Sequence, residues 1–292
     1  MRKKEIFGQA LLHVFFVVLS LMYIIPFLLL VAISFTDETI LADYGYSLIP
    51  KQLSLEAYKH IFENPKQLID SYQTTILFTV LYTVFTVVVT TMTAYPLSRS
   101  NFRYKKALTW YIFITMIFGG GLVPSYLVNT KLLNLDNTIW IYVLPGLVSA
   151  WNVIIVRTFF QGIPESLAES AKIDGASEFG TFIRIMIPLS TPVMATIGFL
   201  QMVAKWNDWN TALIYIKDTQ LYSLQYMLQR ILREVEFVKQ MASQSANFND
   251  YEVPTESIRY ATALLAAGPM IIVFPFFQKY FTKGMTIGAV KG

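Results

Sequence analysis

The sequence predicts an all-α membrane protein with six transmembrane helices, and three observations lead there. The chain of 292 residues is 54% hydrophobic and only 14% charged, against about a quarter charged in an ordinary soluble domain. Its charges come in blocks: no Asp, Glu, Lys or Arg occurs in 6–36, 71–98, 107–130, 137–156, 185–204 or 260–278. Each run approaches or exceeds the roughly 20 apolar residues that carry a helix across a bilayer core. Six such runs are hard to place as buried helices of a soluble fold.

The first span, about Leu11–Ile33, holds Pro26, which removes one backbone donor and predicts a kink. It is longer than a signal-peptide core, and no small-residue cleavage site follows Ser34, so it is expected to be retained. In the loop Thr36–Asp70, the stretch Ser54–Phe62 reads as a short surface helix capped by Ser54. The second span, Thr74–Leu97, carries Thr79, Thr83, Thr86, Thr90 and Thr93, small residues that let helices approach closely. Gly119-Gly120-Gly121 and Pro124 interrupt the third, Ala107–Val128; the glycines mark either a sugar-path element or close helix packing. Pro145 and Gly146 break the fourth, Thr138–Phe160, midway. The fifth, Ile187–Ala204, opens with Pro188 and Pro192. A long mixed-charge segment, Lys205–Arg259, leads to the sixth, Tyr260–Tyr280, and a tail, 281–292. No loop is long enough for a separate soluble domain, so 1–292 reads as one membrane domain.

Charge sets the sides. Six spans place both termini together with the loops 99–106, 157–184 and 279–291. That side collects 13 of the 23 basic residues and five of the 19 acids. Arg99, Arg103, Lys105 and Lys106 lie in one short loop, and Arg2, Lys3 and Lys4 at the amino terminus. Basic residues in short loops stay in the cytoplasm, so both termini are expected there, in the cell membrane. The net charge of +4 is thus a topology signal, and nucleic acid is not an expected partner. Cysteine is absent, which excludes disulfides and thiolate chemistry. His13 and His60 fall on opposite sides, so no metal cluster or histidine-based triad is expected. The spans hold no Asp or Glu, and Arg157 and Lys279 lie only at their inner ends, which argues against an ion-coupled secondary transporter or channel.

The polar stretch 161–188 between spans four and five is the most informative piece. Pro164 suits a first helical turn, and Glu165 complements the positive end of the helix dipole. Ile163, Leu167 and Ala171 repeat every four residues as an apolar stripe. Gly175 stands where a helix stops in left-handed geometry. Ser177 can cap a second helix, whose Phe179, Phe182, Ile183 and Met186 follow amphipathic spacing. The expected result is two short helices at an angle, carrying Glu169 and Asp174.

Glu169-Ser170-Ala171, Gly175, Ile185 and Pro188 resemble the coupling-loop signature of binding-protein-dependent ABC importer permeases. That signature is Glu-Ala-Ala, a glycine after three further residues, then Ile-x-Leu-Pro; Ser170 and Ile187 depart from it conservatively. Asp174-Gly175-Ala176 agrees with the longer form of sugar importers. Ser54–Phe62, Trp206-Asn207-Asp208-Trp209 and the end 283–292 look like the carbohydrate-uptake-1, MalG-like group. Phe118–Pro124 and Trp151-Asn152 look closer still to its LplC/YtcP-type branch, associated with complex oligosaccharides, including pectin-derived and uronate-containing ones.

The resemblance implies a MalG-like type I importer permease fold with cytoplasmic coupling helices. It implies a second permease subunit, two ATPase subunits and an extracytoplasmic sugar-binding protein as partners, with an oligosaccharide as substrate. The chain has no Gly-x-x-x-x-Gly-Lys-Ser/Thr loop, so it is expected to bind no cofactor and to catalyse nothing, ATP and Mg being used by the partner ATPase. Glu165, Glu169, Ala171, Asp174, Gly175, Ala176 and Pro188 would be the ATPase-coupling positions, and the tail near 288–292 would also reach toward the ATPases.

Sugars are held by aromatic faces and by amides or carboxylates. The path candidates are Tyr72, Trp140, Trp151, Asn152, Gln201, Trp206, Asn207 and Asp208; the aromatics among them equally suit the interfacial belt. A permease for amino acids or peptides remains the alternative within the superfamily, opposed by the sugar-type tail and the Trp-Asn-Asp-Trp element.

Overall fold

The computed structural model describes the backbone of residues 2–244 and 255–289, and the side chains of 8–238, 240–241 and 256–278. Helices follow one another as α1 (Arg2–Ser34), α2 (Glu38–Tyr44), α3 (Glu56–Ile61), α4 (Pro65–Ser98), α5 (Lys105–Ile117) and α6 (Leu122–Leu127). Then come α7 (Trp140–Val143), α8 (Ala150–Gln161), α9 (Glu165–Ile173), α10 (Glu178–Thr181) and α11 (Ile187–Leu189). The series closes with α12 (Thr191–Trp206), α13 (Asn210–Tyr215), α14 (Leu224–Gln244) and α15 (Thr255–Ala289). No strand occurs among the described residues, and an isolated antiparallel bridge joins Thr36 and Leu53. The chain divides into two compact units, Met1–Leu68 with Met227–Pro269, and Ile69–Tyr226 with Met270–Gly292.

In the first unit, α1 leaves its apolar side chains exposed along most of its length, an arrangement suited to lipid and not to water. The N-cap of α3 is Leu55, not Ser54, and it makes no side-chain cap bond; Ser54, one residue earlier, accepts the Glu56 amide at 3.2 Å in a local turn. Ala57 and Ile61, one turn apart on α3, pack with Val235, Ile258 and Ala261. The Glu38 carboxylate accepts the amides of Glu256 (2.9 Å) and Ser257 (3.1 Å), satisfying two free donors at the start of α15.

The second unit is built on α4, which buries Ser71, Thr75, Phe78, Tyr82, Thr86 and Thr90 at helical spacing. Of the five threonines expected to allow close packing, Thr79, Thr83, Thr86 and Thr90 are buried. Thr93 is half-buried and bonds back to the Val89 carbonyl. Gly198 of α12 lies against this face: a Cβ there would stand 3.4 Å from Val87 and 3.7 Å from Thr83. One core cluster joins Ala94, Tyr95 and Leu97 of α4 to Val153, Val156 and Phe160 of α8, Phe182, Met186, and Val193 and Ile197 of α12. A second gathers Phe78, Leu135, the α7 residues Ile141, Tyr142 and Val143, Ala212, Ile216 and Tyr222.

Three described helical segments are long and apolar enough to cross a membrane: Gly8–Ser34, Pro65–Ser98 and Glu256–Gln278. Two further apolar pairs are bent, Lys105–Ile117 with Leu122–Leu132 by 112°, and Glu178–Leu189 with Thr191–Trp206 by 76°. The first bend falls on Gly119–Gly121, where Phe118 is extended and Gly121 has φ +83°.

The fourth expected span is not a single helix. α7 has four residues and α8 twelve, with left-handed Gly146 between them; α8 is about 18 Å long at 1.5 Å per residue, short of a roughly 30 Å bilayer core. The fifth is corrected at its start: the straight helix begins at Thr191 with Pro192 in its first turn, and Pro188 lies before the bend. The sixth does not end at 280, since α15 continues through Ala289 and absorbs most of the expected tail. The coupling role given to 288–292 falls largely outside the described residues.

Candidate functional site

The elbow between α8 and α12 is shaped by ordinary end-of-helix chemistry. Pro164 is the N-cap of α9 rather than its first helical residue, with ψ 129°, and Glu165 opens the first turn. The Ser100 hydroxyl donates to Glu165 Oε1 at 2.6 Å. At the other end, the Gly175 amide donates to the Lys172 carbonyl (3.0 Å) and the Ala176 amide to the Ala171 carbonyl (2.9 Å). With Gly175 at φ +82°, these two bonds make a complete Schellman closure. Ser177 then caps α10, its Oγ accepting the Gly180 amide at 3.0 Å.

After α10 the chain runs through a π-helical turn, Phe182–Met186, in which the Ile187 amide reaches back to the Phe182 carbonyl. Pro188 follows with no amide to donate, and the wider turn suits a ring that clashes with ordinary α geometry.

The apolar faces of both helices differ from the expectation. On α9 the buried residues are Ala168 and Ala171, whereas Leu167 is turned outward and Ile173 is 87% exposed. Phe182 and Met186 enter the core, while Phe179 (66% exposed) and Ile183 point away from it. The π turn separates residues that uniform 3.6-residue spacing would keep on one stripe. Glu169, Asp174 and Gly175 are exposed beside this outward apolar set, Ala176 is half-buried, and Pro188 is exposed on the second leg.

Behind the elbow lies a cavity of about 60 Å³ lined by Arg99, Ser100, Asn101, Glu165, Ala168, Glu169, Lys172 and Glu178. Lys172 forms an ion pair with Glu178 Oε1, and the Tyr95 hydroxyl donates to Glu178 Oε2 at 3.0 Å. The Lys172 hydrogen bond chiefly holds the Glu178 carboxyl below its usual range; burial opposes this, and the Tyr95 hydroxyl assists. The Arg99 guanidinium stands 4.6 Å from the Tyr95 ring centroid. None of Tyr95, Arg99, Ser100 and Glu178 was singled out for this site from sequence. Their only signal is six-residue spacing of opposite charges, Lys172 and Glu178, across a glycine.

The sugar-path candidates do not converge. Trp140 and Trp151 are exposed, Tyr72 is half-buried, and Trp206 is only 3% exposed. Asn152 is buried, its Nδ2 lacking a hydrogen-bond partner among the described residues. The Asn207 amide donates to the Val203 carbonyl, closing α12. Gln201 and Asp208 belong to one polar cluster. The Tyr82 hydroxyl donates to the Gly146 carbonyl at 3.0 Å and reaches Gln201 Oε1 at 3.5 Å. Lys205 Nζ lies 4.6 Å from the Tyr82 ring centroid and 3.1 Å from Asp208 Oδ2. Asp208 also accepts the Thr211 amide at 3.0 Å.

Residues 5–287 match the family of binding-protein-dependent transport system inner membrane components. The chain belongs to that family. The permease is 40% identical over 270 residues to Protein LplC of Bacillus subtilis (strain 168), covering 92% of this chain and 90% of that protein. It is 34% identical over 290 residues to the polygalacturonan/rhamnogalacturonan transport system permease protein YtcP of the same organism, covering 99% and 100%. Among solved structures, one chain of a bacterial ABC transporter involved in the import of the acidic polysaccharide alginate superposes with a TM-score of 0.78. The match is at 26% identity over 96% of this permease and 98% of that chain. The family and the structural match support the all-helical ABC permease fold expected from the motif.

Proposed function

We propose that this permease is one of two membrane subunits of an ABC importer for complex oligosaccharides, those bearing uronate groups foremost. One relative named above is a polygalacturonan/rhamnogalacturonan transport system permease, and the matched solved chain comes from a transporter involved in the import of the acidic polysaccharide alginate. The other expected components are a second permease, two ATPase subunits and an extracytoplasmic sugar-binding protein, with both termini of this chain in the cytoplasm.

One observation carries the coupling role. α9 and α10 meet at a closed, left-handed Gly175 and present Leu167, Ile173, Phe179 and Ile183 outward beside Glu169 and Asp174. An exposed apolar set rimmed by carboxylates marks a surface that another protein covers. A partner gripping that knob can move the legs attached to it, α8 on one side and α11–α12 on the other. Glu165 sets the start of α9, Ala171 and Ala176 supply the two ends of the closing bond, and Pro188 forces the second leg to break.

The test is a reconstituted complex with its ATPase. Gly175→Val is expected to leave hydrolysis by the ATPase running while sugar uptake per ATP falls sharply. Wild-type uptake per ATP in that variant removes the coupling role from the elbow.

A further inference from the structure

A knob hinged on one glycine can flex, and a flexing knob transmits motion poorly. The Schellman bonds hold the backbone only at the corner itself. Farther out, beside the Ser100–Glu165 bond, the Glu178 carboxylate ties three pieces together. Glu178, at the start of α10, takes Lys172 from the last turn of α9 on Oε1 and the Tyr95 hydroxyl from α4 on Oε2. The same hydroxyl lies 3.4 Å from the Glu178 carbonyl. Tyr95 is itself anchored: its ring packs on Phe182 at 5.0 Å and edge-on to Phe160 at 6.2 Å, under the Arg99 guanidinium.

We propose that Glu178 is a positioning residue for coupling, bracing α9, α10 and the end of α4 into one piece so that force on the knob reaches the membrane helices. This rests on the reading of the elbow as the element gripped by the ATPase.

The brace is conditional. Lys172 and Glu178 are both substantially exposed, and an ion pair in water is weak. Seating a partner over Leu167, Ile173 and Phe179 removes water from the same face, and the pair strengthens as the local dielectric falls. The brace is therefore expected to be weaker in the isolated subunit than in the assembled transporter. Arg99 adds positive charge on the inner side, its Nε and Nη2 buried without a hydrogen-bond acceptor among the described residues. Glu165 and Glu169 are the other charges around the same cavity.

The chain has no cysteine, so a single reporter can be placed cleanly. Asn210, exposed just beyond α12 and away from the elbow, is changed to Cys in the complex with its ATPase. Its labelling by a membrane-impermeant maleimide is then timed with and without ATP–vanadate. The braced protein is expected to change its labelling rate on trapping. Glu178→Gln, Lys172→Met and Tyr95→Phe are each expected to shrink that change by about fivefold or more, in complexes that retain equal ATPase. Glu178→Asp, which keeps a carboxylate able to accept from both Lys172 and Tyr95, is expected to retain much more of it than Glu178→Gln, a split between charge and shape that a residue needed only for folding would not show.

A full-sized response in all three single variants, or Glu178→Asp no better than Glu178→Gln, overturns the proposal. If the Gly175→Val control loses the response while Glu178→Gln keeps it, the brace is wrong and the elbow reading survives. If even the unsubstituted reporter protein shows no nucleotide-driven change, the elbow reading falls and this proposal with it.

Discussion

The Ala176 amide donates to the Ala171 carbonyl at 2.9 Å, passing over Gly175 in left-handed conformation. A Cβ added at Gly175 would meet no atom within 4 Å. The demand for glycine here is therefore conformational, not steric. Gly175→Ala is expected to destabilise the elbow by about 1 kcal/mol and Gly175→Val by up to about 3 kcal/mol, while Gly175→Asn costs less than either. Thermal unfolding of the purified permease in detergent, with the three variants side by side, gives the order.

Lys205 and Asp208 form a largely buried ion pair at the end of α12, each side chain about 15% exposed or less. Removing one partner strands the other. Asp208→Ala is expected to destabilise by about 3 kcal/mol, whereas Lys205→Met with Asp208→Leu together costs much less than the single changes added. Asp208→Asn, which keeps an acceptor for the Thr211 amide, falls between. A double-mutant cycle on denaturation midpoints measures the coupling.

Tyr142 is fully buried, stacks on Phe78 with ring centroids 4.2 Å apart, and donates its hydroxyl to the Leu221 carbonyl at 2.8 Å. Tyr142→Phe keeps the stack and strands that carbonyl, an expected loss of about 1–2 kcal/mol. Tyr142→Ala also opens a cavity and is expected to cost about 3–5 kcal/mol. Both are read by the same unfolding assay, and a Tyr142→Phe variant as stable as the wild type would show that the hydroxyl contributes nothing.

Glu178 has a lowered pKa, chiefly through Lys172. A carboxyl with a depressed folded-state value adds stability above its unfolded value, near 4.3 for glutamate. That stability is lost as pH falls through the folded value. The melting-temperature advantage of the wild type over Glu178→Gln is thus expected to be full at neutral pH and to vanish only in acid below the ordinary carboxylate range. Lys172→Met is expected to move this loss to higher pH. An advantage that does not change with pH would exclude the charge as its source.

Much of this was legible in the chain. Gly175, Ser177 and the bend between two short helices were readable because caps and left-handed glycines act within five residues of sequence. The charge-free runs located α1, α4 and the apolar part of α15 for a similar reason: a bilayer demands length and apolarity, both local quantities. The stripe Ile163–Leu167–Ala171 was misassigned in part, because which side of a short helix turns inward depends on what it packs against. Ala168 and Ala171 are the residues buried here, and the 3.6-residue pattern alone does not select them.

By itself the sequence determined the class of molecule, the position of its elbow and the glycine on which the elbow turns. These follow from solvent and backbone preferences that each segment expresses alone. Only the tertiary structure decided that Leu167 and Phe179 face outward, and that Tyr95 and Lys172 share the Glu178 carboxylate. Such contacts form between residues as many as 83 positions apart. Side-chain packing and opposite charges choose partners by proximity in space, which no local pattern records.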